Sequence, residues 1–148
     1  MMNIAVGSDH AGYEDPPPHY KPDLIAHLGV QGHDVLNCGT DTSEAVDYPD
    51  VAEAVVAKVL SGEADFGILL CGTGIGMSMT ANRHPGIRAA VCTTAEMARL
   101  SRQHNCANVL CIGKRMLSLE ACKEIIDAWL DEPCSEVDRH QRRVAKMG

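Results

Sequence analysis

The sequence predicts a single three-layer α/β domain, with a five-stranded parallel sheet, helices on both faces and a C-terminal helix. Short apolar runs alternate along the chain with segments of helical periodicity, which is typical of repeated βαβ units. The length of 148 residues fits one domain that can bury a substantial core. No linker, repeat or low-complexity segment interrupts it, so we expect one domain over residues 1–148.

The five predicted strands are short apolar runs; three of them lead directly into a glycine or a Cys-Gly pair, and a fourth does so one residue later. The strand over 66–70 is the most apolar and is followed by Cys71-Gly72. The predicted strands cover residues 3–6, 34–36, 66–70, 88–91 and 109–112.

Three long helices are predicted from apolar spacing and capping residues. The first covers 51–60 behind Tyr48, the second covers 94–104 with Thr94 as its N-cap, and the third covers 119–130 behind Ser118. In the second helix we expect Met97 and Leu100 to face inward. A shorter helix follows the third strand and extends to about residue 81.

One cluster of helix breakers lies in the first crossover. Pro16, Pro17 and Pro18 are consecutive and Pro22 follows shortly after. Because proline removes a backbone donor and clashes inside a helix, we expect an irregular loop here and no helix before Asp23.

Composition excludes several classes of protein. No apolar run approaches the roughly 18 to 20 residues of a membrane helix, and the N-terminus has no secretory apolar region. The net charge of -7 and an aromatic content of 3% argue against nucleic-acid binding, which favours basic surfaces and stacking rings. We therefore expect neither a membrane nor a nucleic acid as partner.

The seven cysteines include no Cys-x-x-Cys pair, so a zinc ribbon or a thioredoxin-like motif is absent. Their odd number favours reduced thiols in a cytoplasmic protein, most of them packed as small apolar side chains. Only Cys71 is singled out by its position.

Parallel sheets place their ligand site beyond the carboxyl ends of the strands. Asp9-His10 follow the first strand and Lys114-Arg115 follow the fifth. The segment Cys71-Gly72-Thr73-Gly74-Ile75-Gly76 follows the third strand. Its alternate glycines allow close backbone approach, and the following helix start favours negative charge, so the loop suits an oxyanion. A plain strand-to-helix turn is the alternative.

Other phosphate-loop families do not match this segment. A Walker A loop needs Gly-Lys-Ser or Gly-Lys-Thr, and no lysine follows Gly76. Met77 stands where a dinucleotide fingerprint has glycine and where a Cys-x5-Arg phosphatase loop has arginine. Cys71 at the loop entrance could act as a base or as a nucleophile, since loop N–H groups would stabilise a thiolate.

The remaining candidates each have a structural alternative. Asp9 and His10 offer an acceptor and a titratable donor, although a strand-end Asp often caps the next turn. His104 precedes Asn105 at the end of a predicted helix, where it could simply complement the helix dipole. Arg139 and Arg143 lie four apart on one helix face, which suits a phosphate but also a solvated surface.

Taken in order along the chain, these motifs resemble the ribose-5-phosphate isomerase B family, which shares its fold with the galactose-6-phosphate isomerase subunits. The matching segments are 7–12, 46–50, 71–78, 81–83, 86–89, 101–105 and 139–143. The resemblance implies an aldose–ketose isomerase without metal or cofactor, built on a Rossmann-like sheet. It also implies a homodimer or a dimer of dimers, with sites shared between subunits.

The resemblance also implies roles for individual residues. Cys71 would move a proton between C2 and C1, polarised by Thr73, while His104 would open the sugar ring. Asp9 would be a further catalytic residue, beside the ring oxygens. The substrate-binding residues would be Tyr48 at the ring oxygens, Gly72, Gly74 and Gly76 at the enediolate, Asn105 at the hydroxyls, and His10, Arg115, Arg139 and Arg143 at the phosphate.

One feature indicates which branch of the family this chain resembles, and another departs from the family pattern. A glutamate base replaces the cysteine in one branch of the family and stands at the position of Met77, so this chain resembles the cysteine branch. Residues 14–22 contain extra residues and the proline run. We predict interconversion of ribose 5-phosphate and ribulose 5-phosphate; a hexose-6-phosphate isomerase and a non-catalytic sugar-phosphate or nucleotide binder are the alternatives.

Overall fold

A computed structural model describes all residues from Met1 to Gly148. Five parallel strands form one sheet in the order β2-β1-β3-β5-β4, which confirms the predicted α/β class. Each strand begins within one residue of its predicted start and ends within two residues of its predicted end. The strands are β1 (Asn3–Ser8), β2 (Asp34–Asn37), β3 (Phe66–Cys71), β4 (Ala89–Val91) and β5 (Val109–Gly113).

Helices cover both faces of the sheet, as predicted. They are α1 (Tyr20–Val30), α2 (Tyr48–Leu60), α3 (Ile75–Ala81), α4 (Ala95–Asn105), α5 (Leu119–Asp131) and α6 (Asp138–Met147), and a 3-10 turn spans His10–Tyr13. Thr94 and Ser118 cap α4 and α5 by accepting the N–H groups of Met97 and Ala121.

The hydrophobic core is divided by the sheet into two clusters. Leu24 of α1, Ala98 of α4 and Trp129 of α5 pack on one face. Val55 of α2 and Met77 of α3 pack on the other face. Removing this apolar surface from water is the main stabilising contribution to such a three-layer domain.

Two local predictions are wrong. Helix α1 begins at Tyr20 and therefore includes Pro22, because proline is tolerated in the first turn, where its missing N–H would have no partner within the helix. Met97 and Leu100 are exposed rather than inward, and the buried positions of α4 are Ala98, Ser101 and Arg102.

The cysteine prediction is also wrong for one pair. Cys106 and Cys134 form a disulfide across 28 positions of sequence. Four others fit the packing prediction: Cys92, Cys111 and Cys122 are buried, Cys38 is half-buried, and burial raises the pKa of the Cys122 thiol to about 11. No helix is long and apolar enough to cross a membrane.

Candidate active site

The candidate site lies in the crevice between the carboxyl ends of β1 and β3. The chain leaves β1 toward β2 on one side and then crosses to β3 on the other, so the order of winding reverses between these two strands. Ligands of doubly wound sheets bind at this switch point. The N–H of Asp9 donates to the carbonyl of Leu70 at 3.1 Å, which fixes the two strand ends side by side.

Cys71 is the last residue of β3 and is 6% exposed. Its Sγ accepts a hydrogen bond from the backbone N–H of Gly74 at 3.1 Å. An N–H donor at this distance stabilises negative charge on the sulfur. The thiol is thus held at the floor of the crevice with a donor already directed at it.

The loop after Cys71 requires glycine at two places. Gly74 has a φ of +82°, and a Cβ there would lie 3.1 Å from the carbonyl carbon of Ile112. On β5, a Cβ at Gly113 would lie 2.7 Å from the backbone of Thr73. Close contact between loop and strand therefore excludes a side chain on either side.

The loop N–H groups are not equivalent. The N–H of Gly72 donates to no protein acceptor, and Gly76 lies in the first turn of α3, where N–H groups have no partner within the helix. Gly74 differs, since its N–H is directed at Cys71 Sγ. Of the three glycines predicted to hold an oxyanion, Gly74 is the one whose N–H contacts the sulfur.

Thr73 was predicted to polarise Cys71, but its hydroxyl has another partner. Thr73 Oγ1 accepts the N–H of Ile75 at 3.2 Å and so caps the start of α3. The hydrogen bond to Cys71 comes from Gly74. The contact with Ile75 fixes the loop at the start of the helix and leaves the hydroxyl donor of Thr73 uncommitted, so its role toward Cys71 stays a prediction.

Asp9 and His10 follow β1 and are both held by backbone contacts. Asp9 Oδ1 accepts the N–H of Ala11 at 2.9 Å, so this carboxylate, which is 7% exposed, does cap the 3-10 turn. His10 Nδ1 accepts the N–H of Val46 at 3.3 Å. Neutral His10 therefore carries its proton on Nε2, where it is available to a ligand.

Tyr48 and Arg115 complete this edge of the site. Tyr48 begins α2, and its ring packs directly on Gly76. Arg115 follows β5, and a Cβ at Gly72 would lie 3.0 Å from a terminal nitrogen of its guanidinium. Arg115, which is predicted to bind the phosphate group, therefore lies over the glycine loop.

Sequence analysis missed the partner of Arg115. The guanidinium donates to the carboxylate of Glu14, which also accepts from Lys114 Nζ at 3.3 Å. These hydrogen bonds hold the pKa of Glu14 below its usual range. An acidic residue in the extra segment next to Asp9-His10 was the available signal.

A second cluster of predicted residues lies at the ends of α4 and α6. His104 and Asn105 are exposed at the end of α4, while Arg139 and Arg143 are exposed on α6 and form no ion pair. The rings of His104 and His140 lie 4.4 Å apart between centroids. Partial burial and the charges of His104 and the two arginines lower the pKa of His140.

The two clusters lie at opposite edges of the sheet. Helix α4 begins after the carboxyl end of β4 and returns over 11 residues, about 16 Å of helix, to the amino edge where β5 starts. A cavity of about 630 Å³ contains His104 and Arg139 but no residue of the Cys71 loop. One chain therefore brings Cys71, Asp9, Tyr48 and Arg115 together, and leaves His104, Asn105, Arg139 and Arg143 apart from them.

The structure brings together no group of three or more His, Cys, Asp or Glu side chains that could hold a metal ion. The polar groups of the crevice are instead a thiol, backbone N–H groups, a phenol and a guanidinium, together with the Asp9 carboxylate and the His10 imidazole at the end of β1. This set suits a small anionic ligand with hydroxyl groups.

Fold and crevice define a doubly wound α/β protein with a candidate site at the switch point. A family model described as ribose/galactose isomerase matches residues 4–147. The chain belongs to this family.

Relatives with known names agree along nearly the whole chain. Ribose-5-phosphate isomerase B of Escherichia coli is 48% identical over 97% of this chain and 93% of its own length. The ribose-5-phosphate isomerase B structure from Clostridium thermocellum superposes with a TM-score of 0.93 at 46% identity, covering 99% of this chain and 95% of that one. The Thermotoga maritima structure has a TM-score of 0.92 at 47% identity, covering 99% and 97%.

Proposed function

We propose that this protein interconverts ribose 5-phosphate and ribulose 5-phosphate, with Cys71 as the base. The observation that carries the proposal is the position of Cys71 Sγ, in the switch-point crevice and within 3.1 Å of the Gly74 N–H. The sulfur is thereby prepared to hold negative charge before substrate arrives. The relatives named ribose-5-phosphate isomerase B support the choice of substrate.

The reaction moves one proton between two carbons. The Cys71 thiolate removes the proton from C2 of the open-chain aldose, the C1–C2 double bond forms, and negative charge develops on O1. The hydroxyl proton of O2 then passes to O1 as the C2 carbonyl forms, and Cys71 returns a proton to C1. The N–H groups of Gly72 and Gly76, which have no protein acceptor, would stabilise the enediolate oxygens.

The phosphate end needs a separate grip, because its binding energy orients the reacting carbons. His10 and Arg115 at the crevice would contribute to this grip, with Asp9 and Tyr48 at the ring oxygens. The His104 ring would open the furanose, Asn105 would bind hydroxyls, and Arg139 and Arg143 would bind phosphate.

Within one chain, the last four of these lie at the opposite edge of the sheet from Cys71: His104, Asn105, Arg139 and Arg143. We therefore propose that they act on the crevice of a second copy. The complete site then forms in a homodimer or a dimer of dimers. Exposed apolar side chains on α3 and α4, namely Ile75, Met79, Met97 and Leu100, offer a surface for such an assembly.

We place the enzyme in the cytoplasm because five of its cysteines are free thiols. The Cys106–Cys134 disulfide is the exception to this pattern, since disulfides are rare in that compartment. A thiol count under defined redox conditions, described below, resolves its state.

An isomerase assay with purified protein tests the proposal. Cys71→Ala should lower kcat with ribose 5-phosphate by at least about a hundredfold while circular dichroism and thermal unfolding stay native. Cys38→Ala removes a half-buried thiol outside the crevice and serves as the matched control. Near wild-type turnover by folded Cys71→Ala would overturn the assignment of the base.

The family description also includes galactose, so six-carbon substrates are the second candidate. Comparing kcat/KM for ribose 5-phosphate with that for galactose 6-phosphate and allose 6-phosphate decides between them. Tight binding of every aldose phosphate without turnover would instead identify a non-catalytic binding protein.

A further inference from the structure

Glu14 lies at the start of the extra segment, after β1, and its carboxylate reaches across the end of β3 to the two residues that follow β5. One of its carboxylate oxygens accepts from the guanidinium of Arg115, and the other accepts from Lys114 Nζ at 3.3 Å. The partners are 100 and 101 positions away in sequence. This contact therefore depends on the folded path of the segment after the 3-10 turn.

Both cations are anchored to the Cys71 loop through their backbones. The N–H of Lys114 donates to the carbonyl of Cys71 at 2.9 Å, and the N–H of Arg115 donates to the carbonyl of Gly72 at 3.0 Å. Glu14 raises the pKa of Arg115 most, and the nearby charges of Asp9 and Cys71 add to this effect. Arg115 is thus the cation of the crevice itself. Its guanidinium is already hydrogen-bonded to the carboxylate of Glu14.

We propose that Glu14 is an internal competitor of the substrate's phosphate for Arg115 and sets the affinity of the site for phosphorylated ligands. The inference rests on the proposed function, in which Arg115 binds phosphate. Carboxylate and phosphate both bind a guanidinium through its N–H donors, so they use the same groups of Arg115. A phosphate arriving at this arginine meets a like charge and has to displace it.

The surroundings allow this displacement. Residues 15–18 are exposed, and the hydrogen bond between His19 Nε2 and Asp15 Oδ1 lies on the surface at 2.8 Å. The Glu14 side chain is 25% exposed, so it can turn toward solvent without opening the core. The site would therefore discriminate between phosphorylated and unphosphorylated sugars. A dianionic phosphate competes with the Glu14 carboxylate for Arg115 better than a neutral hydroxyl does.

Glu14→Gln removes the charge and keeps the shape of the side chain. We expect the KM for ribose 5-phosphate and the inhibition constant of inorganic phosphate to fall about threefold to tenfold, with kcat changing less than KM. Asp15→Asn makes the same charge change one residue away, on a side chain that contacts His19 instead of Arg115. It should leave both constants at the wild-type values.

The direction of the effect decides the proposal. A higher KM and weaker phosphate inhibition in Glu14→Gln would show that Glu14 orients Arg115 for the substrate, which overturns the proposal. Unchanged constants would overturn it as well. In an Arg115→Ala background, the effect of Glu14→Gln should disappear.

A separate binding measurement distinguishes failure of this inference from failure of the proposed function. Calorimetric titration with inorganic phosphate reports on Arg115 and Glu14 without any turnover. If the wild-type protein binds phosphate but does not isomerise ribose 5-phosphate, the function fails while the Glu14 test still gives its result. If turnover is normal and Glu14→Gln binds phosphate no more tightly, only the inference fails.

Discussion

The ring of Tyr48 occupies the space that a side chain on Gly76 would need. A Cβ at residue 76 would lie 2.5 Å from Tyr48 Cε1 and 3.0 Å from the phenol oxygen. The first residue of α2 is thereby placed against the first turn of α3, beside the unpaired N–H groups of the loop. Gly76 therefore contributes to the site by allowing the Tyr48 ring to pack against the first turn of α3.

Gly76→Ala should therefore displace Tyr48 and reduce activity more than stability. Because the ring is half-exposed, it can move aside, and we expect a loss of no more than about 1 kcal/mol in the free energy of unfolding. The phenol would leave the crevice, so kcat/KM for ribose 5-phosphate should fall about tenfold. Steady-state kinetics and urea denaturation of the same preparation measure both effects.

Gly29 offers the matched control for this substitution. It lies in α1 with no atom within 4 Å of the Cβ position. Gly29→Ala should stabilise the protein by up to about 1 kcal/mol and leave kinetics unchanged, since alanine is the better helix former. Equal kinetics for Gly76→Ala and wild type would contradict a role for the Tyr48 position.

A second prediction concerns Lys21, whose side chain is fully buried. Its Nζ donates to Asn37 Oδ1 at 2.6 Å, to the Thr40 carbonyl at 2.7 Å and to Asp41 Oδ1 at 3.1 Å. The turn held in this way is paired to the end of β1, since the Thr40 N–H donates to the Ser8 carbonyl at 2.6 Å. Lys21 thus supports the strand end from which Asp9 projects.

Lys21→Met should lower the free energy of unfolding by about 2 to 4 kcal/mol, because the methylene stem is kept while three hydrogen bonds are lost. Chemical denaturation measures this loss. Lys58→Met, which breaks an exposed pair with Glu63 at 2.8 Å, should change the denaturation midpoint too little to resolve. Similar midpoints for the two variants would show that the buried lysine is dispensable.

The sequence predicted the carboxyl-edge residues well for a topological reason. In a parallel sheet the residues that follow the strands meet at one edge, so Asp9, Cys71 and Arg115 could be grouped without coordinates. The family resemblance gave roles to His104 and the tail arginines, which the residues alone marked only as candidates, and the family itself is confirmed.

Contacts made by loops could not be predicted in the same way. Glu14 meets Arg115 because the 3-10 turn after β1, to which the Glu14 N–H is bonded, leads the chain toward the end of β5. Cys106 and Cys134 meet only after α4 and α5 have packed together. The apolar spacing in α4 predicted that Met97 faces inward, but this side chain is exposed. Spacing shows which apolar residues share a face of the helix, and it does not show whether another element covers them.

The Cys106–Cys134 disulfide leads to a third prediction. Denatured protein without reductant should show five reactive thiols, and all seven should react after reduction. Closing a loop across 28 positions restricts the unfolded chain, so Cys134→Ser should lower the stability of the oxidised protein by about 3 kcal/mol.

Reductant should remove the difference between Cys134→Ser and wild type. Cys38→Ser removes a free thiol and serves as the control. Its stability should depend on reductant as that of the wild type does, and it should show one reactive thiol fewer both before and after reduction. Seven thiols in the unreduced protein would contradict the disulfide and would agree with the reduced state that the sequence suggested.

The separation of His104 from Cys71 within one chain leads to the last prediction. Cys71→Ala and His104→Gln should each be nearly inactive, and subunit exchange between them should restore activity. A hybrid dimer has one site with both changes and one site with neither, so random mixing should return about a quarter of wild-type activity.

Mixing His104→Gln with Arg139→Ala is the control, because both changes lie on the same edge and no hybrid site is intact. Native mass spectrometry should confirm that hybrids form in both mixtures. Hybrids of the first pair without activity would show that the two clusters do not share a site.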